Sequence, residues 1–124
     1  NSMAEKMNDD HSETGEVEKK EKIMSLNDLF RQTFQGGRVM ITQGIQVLGE
    51  DNVNRILSAV RNFSDFKSDN DPYGEHDFEA VTVDGIKCFW KIDYFDNALN
   101  HHSPDASDPA VTKRVMTIMR AEEY

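Results

Sequence analysis

Apolar side chains are sparse over the first 22 positions and recur in phased blocks after them. Residues 1–22 carry Glu5, Asp9, Asp10, Glu13, Glu16, Glu18 and Glu21 against Lys6, Lys19, Lys20 and Lys22. A segment with so little buryable surface does not offset the entropy of ordering its backbone, which predicts a disordered acidic tail. Asn1-Ser2 ahead of Met3 reads as a cloning scar. A single domain is expected over residues 23–124.

Within it, Leu26, Leu29, Phe30 and Phe34 form one stripe of a helix that starts near Met24 and stops at Gly36-Gly37. Arg38–Thr42 has the β-branched content of a short strand. Val53, Ile56, Leu57 and Val60 recur at helical spacing in Glu50–Phe63, with Glu50 and Asp51 at the end where the helix dipole favours anions. Phe78–Val83 and Ile86–Phe95 read as strands around Asp84-Gly85, a pair suited to a type I′ turn because both central residues there take positive φ. Asp108 (or Ser107) and Pro109 open a last helix whose inner side is Val111, Val115, Ile118 and Met119. Polar loops fill 64–77 and 97–107. The order α-β-α-β-β-α predicts an α+β fold, a small antiparallel sheet of about three strands packed with three helices.

A two-residue turn pairs Val83 with Ile86 and Val81 with Cys88, and puts Ile86, Cys88, Trp90 and Ile92 on the core face. Continued unbroken, that register buries Glu79 beside Trp90 and sets His76 opposite Asp93. A buried unpaired carboxylate is costly. A β-bulge near Glu79–Ala80 is therefore expected, bringing Phe78 onto Trp90 and Asp77 opposite Lys91.

The 124 residues hold 14 Lys+Arg against 23 Asp+Glu, a net charge of −9, with 37% hydrophobic residues and one cysteine. This suffices for one domain, excludes an internal disulfide and contains no run long enough for a membrane span, pointing to a cytoplasmic protein. Such acidity opposes direct nucleic-acid binding and favours a protein partner with a basic surface. No cofactor is expected, and the oligomeric state stays open.

Chemistry-bearing residues are few. Asp69-Asn70-Asp71-Pro72-Tyr73-Gly74 has the opening of a calcium loop, but Tyr73 stands at its fifth position and Ala80 at its twelfth, where a bidentate Glu is needed. A turn bonded to its own backbone is the expected reading. His76, Asp77, Asp93 and His101 are types that zinc or manganese accepts, without a recognised spacing. His76 and Asp93 are a weak acid–base pair, available only in the unbulged register. Cys88 is expected to be buried, and Phe89, between Lys87 and Lys91, is a contact candidate if the outer sheet face is open.

Asn27-Asp28, Gly37-Arg38-Val39, Asn70-Asp71-Pro72-Tyr73-Gly74-Glu75-His76-Asp77-Phe78, Phe89-Trp90-Lys91-Ile92-Asp93-Tyr94, Asp108-Pro109-Ala110-Val111-Thr112 and Arg114-Val115-Met116-Thr117-Ile118-Met119 occur in this order. Together they resemble a small bacterial family known as domain of unknown function number 3768, from Asn27 to Tyr124. The resemblance implies a single-domain cytoplasmic protein, often carried on plasmids or other mobile elements, and supplies no activity or site residues.

Function is then expected to be non-enzymatic protein interaction through an acidic surface of Asp69, Asp71, Glu75, Asp77 and Asp96. One alternative is an inhibitor that blocks a nucleic-acid-binding complex with that surface, of anti-CRISPR or anti-restriction type. The other is a small metal-dependent hydrolase.

Overall fold

The computed structural model describes residues 2–124, with side chains from residue 15 onward. The chain is α+β: α1 (Ser2–Thr33), β1 (Gly37–Ile41), α2 (Gln43–Gln46), α3 (Glu50–Arg61), β2 (Phe78–Val83), β3 (Ile86–Phe95) and β4 (Lys113–Arg120), with 3-10 turns at Pro109–Val111 and Ala121–Glu123. The four strands form one mixed sheet in the order β1-β4-β3-β2, in which β1 runs parallel to β4 and the other pairs are antiparallel. No helix among the described residues is long and apolar enough to cross a membrane.

The element expected as a last helix is the central strand β4. Asp108 and Pro109 do open a helical turn, with the Asp108 side chain accepting from the Ala110 amide, but it ends at Val111. From Lys113 on, alternate side chains go to opposite faces, and Arg114, Met116 and Ile118 are buried on one of them. Apolar residues on both faces of a central strand mimic a helical stripe, which is why Val115, Ile118 and Met119 fit either period.

The helix α1 also extends further than expected. It runs back through the segment read as a tail, where the side chains of residues 16–22 are exposed. Its anchors are Asn27, Phe30 and Arg31, all buried, and once such a turn is fixed each further residue adds to the helix at little cost. Asn1 of the expected scar lies outside the described residues.

Asp84 and Gly85 take φ of 51° and 80°, the expected turn. The hairpin then runs without a bulge: Phe78 faces Lys91, Glu79 faces Trp90 and Val81 faces Cys88. Glu79 is therefore buried beside Trp90, and Phe78 lies on the outer face with Phe89, their ring centroids 5.4 Å apart. The sheet keeps its ladder and tolerates the carboxylate, whose pKa burial pushes up.

Trp90 is fully enclosed at the centre of the core. Phe30, Ile45, Ile56 and Val60 from the three helices meet Cys88, Trp90, Ile92, Met116 and Ile118 from the sheet. Gly37 begins β1 where the strand passes Arg114 and Phe30, and any side chain there would strike the Arg114 carbonyl oxygen.

Candidate functional site

Two features of the described residues stand out: a buried polar clamp on the helical side of the sheet, and the chemistry of its other face.

The clamp joins α1 to the 64–77 loop and to β3 and β4. Asn27 donates from Nδ2 to the Tyr94 hydroxyl (2.7 Å) and to the Glu75 carbonyl (2.9 Å), while its Oδ1 accepts from Arg114 Nε (2.8 Å). The Tyr94 hydroxyl donates onward to Glu75 Oε1 (2.9 Å). Burial holds the Tyr94 phenol far above its ordinary pKa and lowers that of Arg114, although neither loses its working charge state at neutral pH. Arg31, one helical turn on, donates to Asp28 Oδ1 (3.0 Å) and to the Phe63 carbonyl (3.0 Å), and its guanidinium lies over the rings of Phe66 and Trp90.

His76 belongs to this clamp. Its Nδ1 is 2.8 Å from Asp28 Oδ1, its Nε2 is 3.4 Å from Asp71 Oδ2, and its ring stacks on Phe66 at 3.7 Å with 5° between planes. The expected partner, Asp93, is elsewhere, paired with Lys91 at 3.2 Å on the outer face. The backbone explains this. His76 has φ of 56°, a left-handed residue that ends strand alternation two residues before β2 and turns the imidazole toward α1.

The other sequence candidates are dispersed. Asp71 is buried against His76, Glu75 accepts from Tyr94, and Asp96 accepts from the Asn100 amide. Asp69 is exposed. Asn70 accepts from the Lys67 amide and donates to the Asp65 carbonyl, so the calcium-like stretch closes on itself as a turn. Asp77 lines a cleft of about 240 Å³ with Asp93, Tyr94, Phe95 and His102, and burial together with Glu75 raises its pKa to about 6. His101 is exposed. Among the described residues no group of three or more His, Cys, Asp or Glu is arranged to hold a metal. Cys88 is buried, and burial pushes its thiol pKa up.

The outer sheet face follows from the registers. It presents Arg38 and Met40 from β1; Lys113, Val115, Thr117 and Met119 from β4; Lys87, Phe89, Lys91, Asp93 and Phe95 from β3; and Phe78, Ala80 and Thr82 from β2. Arg38, Met40, Thr82, Lys87 and Lys113 are exposed. Tyr124 folds back over this face, its ring centroid 5.3 Å from Phe89 and 5.6 Å from Phe78, and Lys87 Nζ sits 5.5 Å over the Phe89 ring. Four cations against the single carboxylate of Asp93 make this face basic on an acidic chain. Net charge hides such segregation. The readable signal was the alternation of Lys87, Phe89 and Lys91, together with Arg38; Lys113 was concealed by the helix reading of β4.

The model of a family described as "Protein of unknown function (DUF3768)" matches residues 41–123. That span takes in the 64–77 loop, the hairpin and β4, and leaves Asn27, Asp28 and Arg31 outside it. No curated protein and no solved structure matches the chain.

Proposed function

The chain belongs to the DUF3768 family, and we propose that it is a non-enzymatic binding domain that engages an anionic partner through the outer face of its sheet. The observation that carries this reading is the charge of that face. Arg38, Lys87, Lys91 and Lys113 share it with one carboxylate on a chain whose net charge is −9. Among the described residues, Arg38, Lys87 and Lys113 have no carboxylate within ion-pair distance, so their charge is free for a partner. A non-enzymatic role is supported by His76, whose two ring nitrogens face Asp28 and Asp71 and whose ring is stacked. The imidazole serves as a strut between α1 and the loop.

The acidic loops support docking less well, because Asp71, Glu75 and Asp96 are spent on internal bonds. Asp69 and its neighbour Asp65 remain exposed.

Retention on immobilised heparin tests the reading. The protein is expected to bind at low salt despite its negative net charge, and Lys87→Glu with Lys113→Glu to flow through, whereas Asp69→Asn elutes unchanged. Flow-through of the unmodified protein overturns it.

A further inference from the structure

Resting on that reading of the sheet face, we infer that the anionic partner is a single-stranded nucleic acid, with a base stacked on the Tyr124 ring. Tyr124 is 74% exposed, yet its ring is braced from below by Phe78 and Phe89 at 5.6 and 5.3 Å. The planes meet at 59° and 70°, so the two phenyl rings hold Tyr124 by tilted and edge-on contacts while most of its surface stays exposed. A braced, exposed ring is a stacking platform, and every base has a face that can lie on it.

Cations flank the platform at a spacing that suits a strand. Lys87 and Lys91 lie four residues apart on β3, roughly 13 Å, with Phe89 between them and Phe78 directly across from Lys91. Lys113 pairs with Phe95 further along the same direction, and Arg38 lies one strand beyond, opposite Val115. The four positive groups, of which Lys91 is paired with Asp93, run across the sheet from the hairpin end toward the β1 edge, a track whose steps match every second phosphate of an extended strand. An extended single strand can follow that track and turn its bases onto the rings. A duplex keeps its bases stacked inside, and the Asp and Glu side chains of an acidic peptide carry no aromatic ring to stack on Tyr124. The carboxylates closest in sequence or on this face are engaged within the chain: Asp93 with Lys91, Glu122 with Arg120, and Glu123 with Thr42 and the Gly44 amide.

Fluorescence anisotropy with labelled oligo(U) and oligo(dT) of about 12 nucleotides, within the site sizes of such platforms, tests the inference on the full chain. Duplex of the same length and polyglutamate serve as competitors. Both single strands, or one of them, are expected to bind more tightly than the competitors, and the two arms tell RNA from DNA. Tyr124→Ala is expected to weaken binding about tenfold and Tyr124→Phe to leave it intact. Engaging up to four phosphates gives a log–log salt slope of about −3, which Lys87→Glu with Lys113→Glu should flatten. Heparin retention without preference for single strands, or with Tyr124→Ala indistinguishable from the unmodified protein, overturns this inference and leaves the anionic-partner reading standing. Loss of heparin retention as well removes both. Unchanged Trp90 emission in each variant verifies the fold.

Discussion

Asn27 and Tyr94, 67 residues apart in sequence, are joined by a hydrogen bond of 2.7 Å inside the protein. The same amide satisfies Arg114 Nε and the Glu75 carbonyl, so one small side chain completes the bonding of three elements. Replacing it leaves buried partners unpaired, and each such group costs about 1–3 kcal/mol. Asn27→Ala is expected to lower unfolding free energy by about 3 kcal/mol in urea titrations. Tyr94→Phe should cost about 1 kcal/mol, because the phenol ring keeps its packing. Equal losses in the two variants would show that the amide does not tie the three elements together.

His76 separates two carboxylates, Asp28 and Asp71, that would otherwise face each other across the loop. His76→Ala removes the stack on Phe66 and the bridge together, and a loss of about 2 kcal/mol is expected. Adding Asp71→Asn to that variant removes one of the facing charges and should restore part of the loss. Thermal melts of the single and double variants decide this: a purely additive pair would mean that the imidazole acts through packing alone.

Most of the fold was legible where one periodicity dominated. Val53, Ile56, Leu57 and Val60 mark α3, and Asp84-Gly85 fixes the hairpin, because in each case local geometry and burial agree. Three features were not legible, for physical reasons. β4 is apolar on both faces, so its two-residue period is hidden. The hairpin tolerates a buried Glu79, whereas local energetics favours a bulge. His76 owes its place to a left-handed backbone and to partners 48 residues away in α1. The sequence strings behind the family resemblance include Asn27, Asp28, Asp71, Glu75, His76, Tyr94 and Arg114, and the fold gathers these seven into one clamp. Their presence was readable, but their shared structural use was not.

The Asp77 carboxyl, raised to about 6 by burial and by Glu75, Asp71 and Asp93, binds its proton more tightly in the folded chain than in the unfolded one. Its contribution to stability is therefore full below its unfolded value near 4 and is lost as pH rises through 6. The melting temperature is expected to gain a component on acidification from pH 7.5 to pH 5 that Asp77→Asn abolishes. Partial exposure limits the effect to on the order of 1 kcal/mol. An identical pH profile in the variant would place the titration elsewhere.

Trp90 fills the centre of the core, and Trp90→Ala is expected to cost about 3–5 kcal/mol. A cost under about 1 kcal/mol would contradict its enclosure. Its cross-strand neighbour Glu79 tests a different balance. Burial raises the Glu79 pKa, with Asp71 and Asp65 adding to the rise and the Ala80 backbone and His76 opposing it, and its Oε2 has no hydrogen-bond partner. The ionised carboxylate is thus a net cost, only partly offset, accepted to keep an unbroken ladder. Its favourable contribution is present below the unfolded value of about 4.3 and lost as pH rises through the folded one. Glu79→Gln is accordingly expected to stabilise the protein at pH 7.5, on the order of 1 kcal/mol, and to change little at pH 4. Destabilisation by Glu79→Gln at pH 7.5 would instead reveal a cation that compensates the charge in solution, with the Arg31 guanidinium, whose own Nε lacks a partner, the first to replace in a double-mutant cycle.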